Sequence, residues 1–63
     1  MYRNLEKIRK QKGLTIDNMA KIIHRSPANY FKKEKGMVSI TVKEAISIAN
    51  FLNEKIEWLF KEE

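Results

Sequence analysis

Apolar residues recur along the chain at the three- and four-residue spacing of amphipathic helices, and two glycines and one proline mark where one run stops and the next begins. Between Tyr2 and Lys12, Leu5, Ile8 and Arg9 share one side of a first helix, and Gly13 follows its basic last turn in the C′ position at which glycine ends helices. Thr15 is a good N-cap for a second helix, Asp17 suits the positive end of its dipole, and Ile16, Met19, Ala20 and Ile23 form its apolar stripe. That helix is expected to end near Ile23. His24 and Arg25 lead into Ser26-Pro27, where the serine caps and a proline in the first helical position gives up no needed hydrogen bond. A third helix then runs to about Lys35, with Tyr30 inward and Lys33 a solvated side chain whose stem covers the core edge. Gly36 ends it in the left-handed conformation that other residues adopt at a steric cost.

Met37 to Ile40 reads as a loop or short extended stretch before the clearest local motif, the capping box Thr41-Val42-Lys43-Glu44. The Thr41 hydroxyl can accept from the Glu44 amide while the Glu44 carboxylate reaches back to the Thr41 amide, and Ile40 can staple onto Ala45. The fourth helix turns Ala45, Ile46, Ile48, Ala49 and Leu52 inward, and Asn53 is suited to replace glycine at its C′ position. Ile56, Trp58, Leu59 and Phe60 follow as a short fifth helix. The pattern predicts an all-α fold of five short helices.

At 63 residues the chain has room for one small domain, 1–63, and no cysteine to brace it. A lone His24 without thiolates cannot supply a four-ligand zinc site, so no metal or other cofactor is expected. Neither paired carboxylates, a triad nor a phosphate loop appears; His24 has no acid and nucleophile spaced to serve it, and Ser26 is needed as a cap. An enzyme is not expected. The absence of a long apolar run predicts a soluble, cytoplasmic protein. The formal net charge is +5, unevenly spread: residues 1–35 carry ten basic and three acidic side chains, and residues 36–63 three and five. A cationic half on so small a domain points to a polyanion, most simply nucleic acid or an acidic membrane surface, and no membrane partner is expected because the basic residues fall on a folded core rather than along one long amphipathic helix.

Two helices joined by a three-residue turn, with Ala20 small enough for close crossing, make a helix-turn-helix over about Ile16 to Lys35. Together with Leu5, Ile8 and Arg9, Gly13-Leu14-Thr15, Met19-Ala20, the run Lys32 to Gly36, Thr41-x-x-Glu44-Ala45-Ile46-x-Ile48-Ala49 and Ile56 to Phe60, the order and spacing resemble one family. It is the helix-turn-helix domain of the Cro and lambdoid phage repressor type, the xenobiotic-response-element family. The resemblance covers nearly the whole chain and implies a lambda-repressor-like domain that regulates transcription by binding double-stranded DNA. The third helix would lie in the major groove and the second across the backbone, usually as a dimer on a near-palindromic operator. It also implies a buried ion pair between Arg9 and Glu34.

At 100° per residue, the side of the third helix away from Tyr30 carries Pro27, Ala28, Phe31 and Lys32, with Asn29 at its margin. Lys32 and Asn29 can donate to bases, and Ala28 and Phe31 can meet a thymine methyl. Phosphate contacts fall to His24, Arg25, Lys35 and the backbone around Ser26. Phe31 could equally bind another protein or fold over the Met37-Val38 loop. Ile16 stands where the family often has a phosphate-binding glutamine, and Pro27 and Ala28 where it often has polar base readers. Ile16, Ala28 and Phe31 therefore support a second reading, in which the chain modulates a partner repressor by protein contact. Phe51 and part of Trp58 are candidates for a weak homodimer seam.

Overall fold

The computed structural model describes residues 1–62; Glu63, the last residue of the expected domain, lies outside the described residues. Among the described residues five helices follow one another: α1 (Arg3–Gln11), α2 (Ile16–Ile22), α3 (Pro27–Glu34), α4 (Val42–Leu52) and α5 (Ile56–Leu59). No strand occurs among the described residues. The helices start where side-chain oxygens can take up orphan amides. Thr15 Oγ1 accepts from Asn18 N at 3.1 Å while Asn18 Oδ1 accepts from Thr15 N, Ser26 Oγ accepts from Asn29 N, and Thr41 and Glu44 form the reciprocal box that opens α4. Asparagine replaces the usual glutamate in the first of these boxes.

Four helices end alike. Past α1, Gly13 N reaches Lys10 O and Leu14 N reaches Arg9 O, and the same pair of bonds recurs with His24 and Arg25 after α2, Gly36 and Met37 after α3, and Asn53 and Glu54 after α4. This closure needs a left-handed residue. Two are glycines, and the other two are His24 (φ 56°) and Asn53 (φ 55°). The helix-turn-helix corner is thus built on a histidine in a conformation that costs a non-glycine residue roughly 1–2 kcal/mol. His24→Gly should therefore raise stability by about 1 kcal/mol, and Tm by about 4–8 °C, in a thermal melt. An unchanged Tm would show that the corner stores no strain.

Leu5, Met19, Ala20, Ile23, Tyr30, Ile48, Ala49, Leu52 and Leu59 form the core, with contributions from all five helices. Ala20 is 1% exposed and lets α2 and α3 cross closely. The N-terminus lies over the end of α3: Tyr2 N donates to Glu34 O at 3.1 Å, and a Cβ at Gly36 would come within 3.3 Å of Met1 N. At the other end, Asn4 Nδ2 donates to Trp58 O and the Tyr2 ring meets Phe60 edge-on at 5.3 Å, which ties α5 to the start of the chain.

Two side chains depart from the expected pattern. Ile46 is 48% exposed, because it stands about 120° around α4 from the buried arc centred on Leu52. Lys33 is buried, since a carboxylate on α4 waits for its amine.

Candidate nucleic-acid interface

α2 and α3 meet across the turn His24-Arg25-Ser26, and the caps at both ends of that turn fix the crossing. Tyr30, Lys33 and Glu34 face inward, which leaves Pro27, Ala28, Phe31 and Lys32 as an exposed stripe with half-buried Lys35 at its far end. Asn29 is half buried at the edge of the stripe. Phe31 is 45% exposed, and Lys35 Nζ stands over its ring at 5.5 Å from the centroid.

Two carboxylate clusters hold α3 from behind. Arg9 donates through Nε and Nη2 to the two oxygens of Glu34, at 2.9 and 3.1 Å, and through Nη1 to Leu14 O. Glu34 is fully buried, and the fork-on-fork geometry fixes the end of α3 to α1 and to the loop that follows it. The Tyr30 hydroxyl is buried beside this pair, and burial and then the Glu34 charge push its pKa upward.

The second cluster centres on Glu44. Its Oε1 accepts from Lys33 Nζ and from Thr41 N, and its Oε2 accepts from Arg25 Nε at 2.9 Å. Burial alone would raise the carboxyl pKa, but the bonds from Lys33, Thr41 and Arg25 outweigh it and hold the pKa at about 2. One side chain thereby caps α4, neutralises a buried lysine of α3 and fixes the arginine of the turn. Arg25 remains half exposed beyond this bond, at the mouth of an open cleft of about 410 Å³ lined also by His24, Lys43 and Ser47.

A family model described as helix-turn-helix matches residues 5–59, from the first core leucine to the last. The chain belongs to the helix-turn-helix family. That family is one of DNA-binding regulatory domains rather than enzymes. No curated protein and no solved structure matches the chain significantly.

In this helix-turn-helix chain the residues singled out for base contact, Ala28, Asn29, Phe31 and Lys32, lie along one side of α3. Those singled out for phosphate differ in their freedom. His24 and Ser26 are exposed at the turn, whereas Arg25 is bonded to Glu44 and Lys35 Nζ to Glu6 Oε2 at 3.1 Å. Glu6 also takes Lys10, and the bonds from Lys35 and Lys10 hold its pKa below the ordinary value. Ile16 is only partly exposed and packs against the core. Phe51 and Trp58 are 53% and 39% exposed.

The functional reading of the sequence did not include Glu6 or the pairing of Lys33 with Glu44. Glu44 was legible only as a cap, because nothing in the local pattern ties position 33 to position 44. Among the described residues no helix is long and apolar enough to cross a membrane.

Proposed function

We propose that residues 1–63 act as one sequence-specific transcriptional regulator of the phage or mobile-element repressor type, reading the major groove with α3. The observation that carries this reading is the exposed stripe Pro27-Ala28-Phe31-Lys32 on the second helix of a helix-turn-helix. Lys32 and Asn29 address bases, while His24, Arg25, Lys35 and the backbone at Ser26 address phosphates. Arg25 keeps its terminal nitrogens for a phosphate because only Nε is given to Glu44. Lys35 must leave Glu6 to do the same.

An anisotropy titration against the chain's own promoter region and against random duplex tests the assignment. Lys35→Ala should weaken both DNAs alike and lower the salt slope by about one unit; Lys32→Ala should narrow the gap between them. Equal effects of both variants on both DNAs would overturn the division of roles. A partner repressor added to the titration tests the second reading, which the exposure of Phe31, Met37 and Val38 favours.

Phe51 and Trp58 support a weak homodimer, since a core of this size is marginal and both rings leave apolar surface in water. A two-fold seam there would set the recognition helices about 34 Å apart, one turn of DNA. Sedimentation should show mass rising with concentration, and Phe51→Glu should abolish the rise and weaken operator binding. A constant monomer mass into the high micromolar range would remove the dimer.

A further inference from the structure

The exposed stripe of α3, Pro27, Ala28, Phe31 and Lys32, carries no side-chain oxygen. Beside the stripe, Asn29 Oδ1 is buried with no donor against it, Tyr30 and Glu34 are wholly internal, and the cap oxygen Ser26 Oγ accepts from Asn29 N. What remains along the exposed side is Lys32 and the apolar Pro27, Ala28 and Phe31, with Asn29 half buried at its edge. Lysine is a donor without acceptor capacity, and an asparagine can pair with adenine bidentately only when oxygen and nitrogen both reach the base.

We infer that this face reads only base edges that accept hydrogen bonds, together with thymine methyls, and cannot read an exocyclic amino group. The inference rests on the DNA-binding reading above and narrows its ligand. Lys32 then selects guanine through O6 and N7, and Phe31 with Ala28 selects thymine through its C5-methyl. Adenine is met only at N7, and cytosine N4 is not met at all. Each half-site is accordingly a short run of guanine and thymine on the strand that faces α3.

The test uses the full chain and begins with selection from random duplexes at low salt. The selected site is then resynthesised with single-atom changes. Guanine to 7-deazaguanine should weaken binding by at least about fivefold, and thymine to uracil by about fourfold per methyl contacted. Adenine to purine, which removes only the 6-amino group, should leave affinity unchanged. Lys32→Ala should abolish the sensitivity to 7-deazaguanine, and Phe31→Ala the sensitivity to uracil.

A loss of fivefold or more with purine would mean that a protein acceptor meets an amino group, and would overturn the inference while leaving the chain a DNA-binding protein. No binding to any duplex at low salt would overturn the DNA-binding reading itself. Binding with no sequence enriched would show that α3 does not read bases, and would also overturn the inference.

Discussion

Replacing Glu34 by glutamine should lower folding stability by about 3–5 kcal/mol, whereas Glu62→Gln at the surface should change it by less than about 0.5 kcal/mol. The difference lies in what each carboxylate leaves behind. Glu34 is fully buried and takes both forks of Arg9, so its neutralisation strands a guanidinium that is itself nine-tenths buried and whose remaining nitrogen is committed to Leu14 O. Glu62 is exposed and accepts a long bond, 3.4 Å, from the Tyr2 hydroxyl. A domain of this length has on the order of 3–9 kcal/mol of stability in all, so Glu34→Gln should be largely unfolded at temperatures where the parent is folded. Urea titration followed by helical circular dichroism measures both variants; a Glu34→Gln midpoint within the error of Glu62→Gln would show that the pair contributes nothing net.

The elements were legible in the sequence because their boundaries are written in local chemistry. Thr15, Ser26-Pro27 and Thr41-x-x-Glu44 start helices, and Gly13, Gly36 and Asn53 end them, through bonds that span at most five residues. His24 escaped that logic. Histidine enters the left-handed region more often than most side chains but does not announce it as glycine does, and the sharp turn of α2 into α3 places it there. Lys33 and Ile46 show the same limit from the other side. A lysine on a helix is expected in water and an isoleucine in the core, yet the one meets Glu44 and the other falls on the open flank of α4, as tertiary neighbours dictate. Of the interface, the exposed side of α3 follows from helical geometry alone. The pairing of Arg25 and Lys35 with carboxylates on α4 and α1 does not, because it depends on how the helices cross.

Glu44→Gln should produce the other large effect, and its signature is a change in the pH dependence of stability. The folded-state pKa of Glu44, about 2, lies below its ordinary value of 4.5. A carboxyl depressed in this way contributes stability that is fully present above the ordinary value and is lost as pH falls from there toward 2. At about 1.4 kcal/mol per unit, the contribution is on the order of 3 kcal/mol, and it applies to a side chain that is almost wholly buried. In the parent, stability should therefore fall steeply between pH 4.5 and 2. In Glu44→Gln it should be lower throughout the neutral range, where the buried ammonium of Lys33 is left without its counter-ion, and the acid limb should flatten. A shallow slope should survive from Glu6, whose pKa is also held low by Lys35 and Lys10. Lys33→Met separates the two halves of the cluster: it removes the buried cation together with one bond, leaves Glu44 its contacts to Arg25 and Thr41, and should cost less than Glu44→Gln. Urea midpoints from pH 7 to pH 2 decide the matter, and parallel acid limbs for parent and Glu44→Gln would place the acid sensitivity of this protein elsewhere than on the carboxylate that joins α3, α4 and the turn.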